Sequence, residues 1–512
     1  MKNIVLIILM VFLCSACEDF LVEDPRGNLS ADQYFNTEEE ALTGIYGVYF
    51  RLNNGLIHSS LINTLNIGSD HFFTPRAVMF GGMVHGIYYG LGTFDVRIQD
   101  YWVQLYRGIR DANMVISRVQ NSGLEEEEKA LLVGETKFLR AMYYYYLATL
   151  WGDVPYWTEE LQIDVVSHIS NTSAETILND MLADLDEAES VLPETTWGGS
   201  GGRATKWAAK MLKARIYLWQ HDYANAKTEA SEIINQSPHV LLPHFGDIFK
   251  ASNERNDEII FGVEFKEDAV SSVIPNQYRP QGNYEKHINP KPSWFNGIAA
   301  WTLYQSFIDL YEPGDIRRKY TVLDSINGQK TNYNYCLKYM EVPLPEDDPT
   351  IDPSNPLGKL NSGRDDIYFR LAETYLMLAE AENELNGPTS VAYDAVNEIR
   401  NRAQLPDLPA GMSQEELREA IRLEIGKELV GEHRGRKHDL LRWGILDETV
   451  AGLPAKEATS QQQAFVRPIY KTRATYYANI CATNYSEKWN YFPIPGAEIQ
   501  RNPNLVQHPL WQ

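Results

Sequence analysis

The sequence predicts a mainly α-helical protein in which paired helices form a repeating scaffold and a loop-rich, irregular layer lies against it. Three observations predict this fold class. Several blocks of the 512-residue chain have helical periodicity, and one helix-pair spacing recurs along the chain. Long stretches between these blocks lose all periodicity but remain rich in aromatic residues. With 44% hydrophobic residues, the chain has enough apolar material for a large packed interior.

The first predicted scaffold helices lie in the blocks 107–119 and 135–150. The first block places its apolar residues on one helical face. The second contains four consecutive tyrosines and is apolar nearly all round, which predicts a buried helix. Gly152 and Pro155 follow this helix closely and provide its stop signal.

Later helices are predicted from their end signals. The block 174–192 is amphipathic, with an acidic outer face, and is stopped by Pro193. Thr205 is predicted as the N-cap of a helix that continues to Gln220. Ser413 is predicted as the N-cap of another helix that starts one residue later.

The stretch 214–238 has the spacing of a helix pair. Its small, aromatic and closing positions are Ala214, Tyr217, Ala226, Ala230, Ile233 and Pro238. This spacing resembles the tetratricopeptide repeat, because small residues let two antiparallel helices approach closely. His221 and Asp222 are predicted to form the turn. Degenerate further copies are predicted over 366–403 and 105–150.

The remaining stretches are predicted to form the irregular layer. They are rich in glycine, proline, asparagine and tyrosine, and their aromatic content argues against disorder. Long irregular segments in a compact protein are commonly functional. We assign the scaffold to residues of about 30–55, 100–240 and 365–445, and the irregular layer to about 56–99, 245–364 and 446–490.

The N-terminus has the pattern of a lipoprotein signal peptide. Lys2 is followed by an apolar run of about ten residues, which is too short to span a bilayer. Small residues precede Cys17, so residues 1–16 are predicted to be removed and Cys17 to be lipidated. Ordinary secretion with Cys17 as a plain thiol is the alternative. The rest of the chain, 17–512, is predicted to form a single unit.

The composition restricts the partners of the chain. Its formal net charge of −23 repels phosphate backbones, which argues against nucleic acid as a ligand. Neither a metal site nor a cofactor is predicted, because the histidines near 433–438 have poor metal-ligand spacing. The basic residues of that stretch are interpreted as a structural ion network. Cys336 and Cys481 do not form a disulfide framework, and the sequence leaves their pairing open.

Several short segments together resemble the SusD/RagB family. In chain order, they start at Cys17 (CEDFL), Tyr34 (YFNTEEEAL), Tyr106 (YRGIRDANMVI), Gly134 (GETKFLRAMYY), Tyr368 (YFRLAETYLMLAEA), Arg422 (through Arg442), Tyr491 (YFPIP) and Asn502 (NPNL). The resemblance implies a tetratricopeptide-like scaffold, a lipid anchor in the outer membrane, and a shallow glycan site in the irregular layer. It also implies a partner, a SusC-like TonB-dependent outer-membrane transporter on which the protein sits as a lid. It implies no catalytic activity.

Two segments supply the candidate ligand-binding residues. Trp294, Asn296 and Trp301 lie in an aromatic stretch with loop signals, and aromatic faces beside polar groups suit carbohydrate binding. The second segment supplies a carboxylate, an aromatic ring and a guanidinium through Asp70, Phe72 and Arg76. The alternatives are core packing for the aromatic residues and a loop salt bridge for the charged ones.

Two other function classes remain open from the sequence. A peptide-binding or purely scaffolding lid of the transporter would use the tetratricopeptide-like grooves instead of an aromatic site. A glycoside hydrolase would need two carboxylates at a defined separation, and no local pattern singles out such a pair.

Overall fold

A computed structural model describes the chain over residues 35–53, 65–66, 68–75, 89–90, 92–195, 202–266, 269–291, 297–340, 362–460 and 468–512. Within these ranges the fold is mainly α-helical, as predicted. The helices are α1 (Glu38–Asn53), α2 (Val96–Gln120), α3 (Glu126–Trp151), α4 (Ile163–Val166), α5 (Ala174–Val191), α6 (Lys206–Trp219), α7 (Tyr223–Gln236), α8 (Ile274–Tyr278), α9 (Gln305–Ile308), α10 (Arg317–Thr321), α11 (Leu371–Asn386), α12 (Ser390–Arg402), α13 (Gln414–Leu429), α14 (Arg436–Arg442), α15 (Leu446–Thr459), α16 (Pro468–Asn484) and α17 (Gly496–Arg501).

Helix α3 is the central helix of the scaffold. Its last twenty residues, from Leu132 to Trp151, are buried except for Lys137, which confirms the prediction of a buried helix. It ends at Gly152, whose φ of 77° lies in the left-handed region that glycine adopts easily. Gly108 of α2 leaves room for α3, because a Cβ atom there would lie 2.6 Å from the ring of Tyr143. The neighbouring helices therefore pack closely.

The predicted helix pair is present as α6 and α7. Ala214, Ala226 and Ala230 are fully buried where the two helices meet. His221 has a positive φ of 58° in the turn, and the Asp222 side chain caps α7 by accepting a hydrogen bond from the Asn225 N–H. The turn prediction is confirmed.

The second predicted helix pair is α11 and α12. The loop between them contains Gly387 with a φ of 78°, and Thr389 caps α12. Ser413 and Glu416 form a reciprocal capping box at the start of α13, as predicted for Ser413. Thr205 stands at the N-cap position of α6, but its side chain makes no capping hydrogen bond.

The irregular layer is built around a small antiparallel sheet. The strands of the described chain are β1 (Phe72–Phe73), β2 (Val154–Pro155), β3 (Asn171–Thr172), β4 (Ile259–Val263), β5 (Thr302–Leu303), β6 (Val322–Ile326), β7 (Gln329–Cys336) and β8 (Asp366–Arg370). The four strands of this sheet follow the order β1-β5-β7-β6, and β2-β3 and β4-β8 form two separate two-stranded sheets. A separate aromatic core surrounds the four-stranded sheet.

The expectation of an irregular segment over 446–490 is wrong in detail, because this region contains α15 and α16. Pro454 lies inside α15 and argued against a helix there. In α16 the apolar residues do not follow a helical period, since this helix packs on α15 and also on strands β1 and β7. Its buried surface is set by these neighbours from distant parts of the sequence.

An ion network joins the two cores. Arg370, at the end of β8, bonds Glu258, Glu428 and Glu432, and its side chain is 1% exposed. Lys338, which follows β7 in the irregular layer, donates to Glu432 over 2.7 Å. These charges fix the irregular layer in place against the scaffold.

A candidate saccharide-binding cluster

The segment 284–291 lies across β7 and is held there by a buried carboxylate. Glu285 accepts hydrogen bonds from the Asn332 backbone N–H at 2.7 Å and from the Tyr335 hydroxyl at 2.8 Å. Burial raises the pKa of Glu285, although these hydrogen bonds oppose the shift. The Asn332 side chain also donates to the Tyr284 carbonyl at 2.6 Å. The position of Tyr284 is therefore fixed by β7.

Helix α16 brings an arginine and two tyrosines to the same place. We call Tyr284, Tyr333, Arg473, Tyr476 and Tyr477 the tyrosine–arginine cluster. The Arg473 guanidinium donates to the Tyr333 hydroxyl at 2.6 Å and lies 5.7 Å from the Tyr284 ring centre. The rings of Tyr476 and Tyr477 meet edge to face at 5.2 Å. These contacts join three separate chain segments.

The side chains of the cluster range from buried to exposed. Tyr333 and Tyr477 are buried, Tyr284 and Arg473 are half-buried, and Tyr476 is 58% exposed. Burial raises the pKa of Tyr333 to about 12, so its hydroxyl remains protonated at neutral pH. The outer members thus offer ring faces and hydrogen-bond donors to solvent, which is the combination that a sugar ring requires.

The chain on either side of residues 292–296 is anchored by hydrogen bonds to backbone carbonyls. On one side, Gln329 at the start of β7 donates to the Asn289 carbonyl at 2.7 Å. On the other side, the Gly297 N–H donates to the Pro280 carbonyl at 3.1 Å. A Cβ atom on Gly297 would lie 2.2 Å from the Arg279 carbonyl oxygen, so glycine is required there.

Comparison with known proteins decides the family. SusD-like protein P25 of Formosa agariphila is 30% identical over 99% of this chain and 98% of that protein. The chain belongs to the SusD/RagB family. Two family models agree, the SusD family over residues 313–511 and "starch-binding associating with outer membrane" over residues 41–218. The resemblance found in the sequence is confirmed.

More distant members of the family extend the comparison. The starch-binding protein SusD of Bacteroides thetaiotaomicron is 24% identical over 80% of this chain and 78% of that protein. A solved structure, named laminarin binding SusD-like protein, superposes with a TM-score of 0.73 at 24% identity. It covers 93% of this chain and 100% of that one, which shows that the fold is shared.

Trp301 does not reach the surface of this family member. It is fully buried, its ring stacks on Tyr278 at 5.0 Å, and its edge contact with Phe72 is 4.9 Å. Its indole N–H donates to Gln277. Phe72 is also fully buried. Neither ring has a face open to a ligand, so the structure corrects both residues from binding to packing, which was the stated alternative.

Asp70 forms a salt bridge, although its partner is Arg436 and not a residue of the same loop. Both of its oxygens bind Arg436, at 2.8 and 2.9 Å. Burial alone would raise the pKa of Asp70, but the Arg436 guanidinium holds it well below its usual range. Both oxygens of the Asp70 carboxylate thus bind Arg436 of α14. Trp294, Asn296, Arg76 and the predicted lipid-anchor residue Cys17 lie outside the described residues.

The sequence reasoning missed the residues that form the cluster. Phe73, the neighbour of the predicted Phe72, packs against the cluster. Its ring centre lies 6.0 Å from that of Tyr477 and 6.4 Å from that of Tyr333. The available signal was the Arg473–Tyr477 stretch, in which an arginine and two adjacent tyrosines fall within one helical turn.

Other chemistry is sparse in the described part of the chain. Cys336 and Cys481 are both buried free thiols there, which resolves the pairing that the sequence left open. Among the described residues, no group of three or more histidine, cysteine or carboxylate side chains is placed to hold a metal ion. None of the helices in those ranges is long and apolar enough to span a membrane.

Proposed function

We propose that this SusD/RagB protein captures saccharides at the cell surface through the tyrosine–arginine cluster, without catalysing a reaction. The observation that carries the proposal is the placement of Tyr284, Arg473 and Tyr476 at one exposed edge of the irregular layer. Exposed tyrosine rings cover the apolar faces of sugar rings, while hydroxyl and guanidinium groups bind their oxygens.

The names of related proteins support this proposal. One relative is named a starch-binding protein, and one structural neighbour is named a laminarin-binding protein. Starch and laminarin are both neutral glucans. Trp294 is proposed as a further ligand contact, because an aromatic ring beside polar residues in the sequence suits carbohydrate binding. Affinity for a single site is expected to be weak, since little surface is buried and polar groups must lose water.

The proposal includes a location and a partner. A lipid on Cys17 would anchor the chain to the outer membrane, in line with the family description that mentions outer-membrane association. The anchored protein would then pass its saccharide to a SusC-like TonB-dependent transporter. Palmitate labelling of the full-length chain tests the anchor, with Cys17→Ala expected to lose the label and to leave the membrane fraction.

Affinity electrophoresis tests saccharide capture. The chain from residue 18 onward is run in gels that contain different soluble polysaccharides, and a ligand slows its migration. Tyr476→Ala and Trp294→Ala should each reduce the retardation. Tyr46→Ala is the matched control, because Tyr46 is a 45% exposed tyrosine on scaffold helix α1. If no polysaccharide retards the protein, saccharide capture is wrong and a peptide ligand or a pure scaffold becomes the better hypothesis.

A further inference from the structure

Arg473 differs in its partners from most buried arginines of the described chain. Most of those arginines are held by carboxylates, as in Arg140–Asp184, Arg203–Glu135 and Arg215–Glu373. Within the described residues, no carboxylate lies within ion-pair distance of Arg473, and its hydrogen bond goes to the neutral Tyr333 hydroxyl. In a chain with a net charge of −23, such a half-buried guanidinium stands out.

The carboxylate on the neighbouring segment does not compensate this charge. Glu285 follows Tyr284 directly, but its side chain is fully buried beneath the segment. Its two oxygens accept from the Asn332 N–H and the Tyr335 hydroxyl, on the side of β7. Glu285 therefore holds Tyr284 in place and presents no negative charge to the solvent.

The exposed charged side chains on the segment 284–291 are basic. Lys286 and Lys291 are exposed on the segment that carries Tyr284, and the Lys291 ammonium lies 3.2 Å from the Gly282 carbonyl. His287, on the same segment, binds the Lys330 carbonyl. Along the chain around Arg473, the sequence contains no acidic residue between Glu457 and Glu487. The two chain segments that supply Tyr284 and Arg473 are thus basic in a strongly acidic protein.

We infer that the tyrosine–arginine cluster binds acidic saccharides, and that Arg473 recognises their uronate carboxylate or sulfate ester. This inference rests on the proposed function and names its ligand class. A guanidinium is planar and donates in a fixed fork, which matches the paired oxygens of a carboxylate or a sulfate. The hydrogen bond to Tyr333 and the ring of Tyr284 hold the Arg473 fork in position before the ligand arrives.

The position of Arg473 makes its charge effective. Because the group is half-buried among rings, its field is less screened by solvent than that of an exposed arginine. An anionic ligand that met the protein elsewhere would face a net negative surface. The same cluster would therefore both attract the acidic saccharide and orient it.

The test compares neutral and acidic polysaccharides in affinity electrophoresis. The neutral arm contains starch and laminarin. The acidic arm contains polygalacturonate and alginate as uronates, and κ-carrageenan and dextran sulfate as sulfate esters. The variants are Arg473→Gln, which removes the charge, and Arg473→Lys, which keeps the charge but loses the fork. Arg107→Gln is the matched control, because Arg107 is exposed on scaffold helix α2 and has no ion pair among the described side chains.

We expect retardation by an acidic polysaccharide that weakens as salt is raised. Arg473→Gln should lower the affinity by about tenfold or more, since a charge-assisted hydrogen bond is lost, and Arg473→Lys should fall between this variant and the wild type. Arg107→Gln should bind like the wild type. Whether uronates or sulfate esters respond identifies the anionic group. Thermal unfolding of each variant verifies that it is folded.

Two outcomes would overturn the inference and are distinguishable from failure of the proposed function. Retardation by neutral polysaccharides alone would refute an acidic ligand while leaving saccharide capture intact. Equal retardation of the wild type and a folded Arg473→Gln variant by acidic polysaccharides would remove Arg473 from recognition. Lack of retardation in both arms would instead refute the proposed function itself.

Discussion

Buried guanidinium groups in the scaffold and the guanidinium of Arg473 in the irregular layer have opposite surroundings. Arg215 is paired with Glu373, Arg370 is paired with three carboxylates, and both side chains are at most 5% exposed. In the tyrosine–arginine cluster, Arg473 lies among rings and is half-exposed. The guanidinium groups of Arg215 and Arg370 donate to buried carboxylates, whereas Arg473 retains N–H donors that a ligand can accept from.

The aromatic residues show the same division within the irregular layer. Trp301 and Tyr278 stack at 5.0 Å inside its core, where no ligand can reach them. Tyr476 lies on the outer side of α16, above the buried Tyr477. Residue type alone therefore does not distinguish a packing ring from a binding ring, and the burial of each ring decides.

The largest expected effect comes from removing a charge at the seam between the two cores. Arg370→Met should destabilise the protein by about 3–5 kcal/mol, because Glu428 and Glu432 would remain buried with fewer partners. Urea unfolding measures the change. Arg107→Met is the control and should stay within about 0.5 kcal/mol of the wild type, since Arg107 is exposed. An equally small change in Arg370→Met would mean that the network does not join the cores.

Trp301→Ala should have a similarly large effect on stability. Truncation of a fully buried aromatic ring typically costs about 3–5 kcal/mol, and here it would also leave Tyr278 and Phe72 without their partner. A folded Trp301→Ala variant with unchanged stability but lost saccharide binding would restore the original prediction of a ligand contact. Thermal unfolding and affinity electrophoresis of the same sample distinguish the two results.

The Trp301 correction illustrates what the sequence could predict. Helices with local signals were predicted well, such as α3 with its apolar run and α13 with its Ser413 cap. The helical pairs followed from small residues at fixed spacing. The burial of Trp301 did not follow, because it depends on Tyr278 and Phe72, which are distant in sequence.

The assembly of the cluster from three segments was unpredictable for the same reason. Tyr284, Tyr333 and Arg473 come from three segments, and the contact between Arg473 and Tyr333 joins positions 140 residues apart. None of the three segments has a local pattern that indicates contact with the other two. The family was nevertheless recognisable, because its short motifs are identified by their sequence and their order along the chain, without knowledge of tertiary contacts.

Substitution of Lys437 should change the free energy of unfolding by a smaller amount and in the opposite direction, so that the protein becomes more stable. Lys437 was expected to join the ion network of Arg434 and Arg436, but among the described residues it has no ion pair and instead lies 4.9 Å from the Tyr89 ring centre. Burial lowers its pKa to about 8, below the usual 10.5. The charged form therefore opposes folding, by about 1.4 kcal/mol for each unit of pKa depression.

The sign of the pH dependence follows from this shift. Between pH 8 and 10.5 the unfolded chain keeps the Lys437 proton while the folded protein releases it, so the free energy of unfolding should rise with pH in this window. Lys437→Met should stabilise the protein at neutral pH by about 1–2 kcal/mol, after allowance for the lost cation–π contact, and should remove this rise. Urea unfolding across the window measures both effects. A Lys437→Met variant that is less stable at neutral pH would contradict the prediction.

The smallest expected effect on stability belongs to Tyr476, where the difference between packing and binding is sharpest. Tyr476→Ala should change the free energy of unfolding by less than about 0.5 kcal/mol, because the side chain is 58% exposed. The same substitution should lower saccharide affinity about tenfold, since loss of one stacking aromatic ring is worth about 1–2 kcal/mol. Tyr46→Ala should leave both quantities unchanged, as its exposure is similar but it lies on α1. If Tyr476→Ala and Tyr46→Ala bind saccharide equally well, exposure of Tyr476 on α16 has no role in capture, and Trp294→Ala becomes the next variant to test.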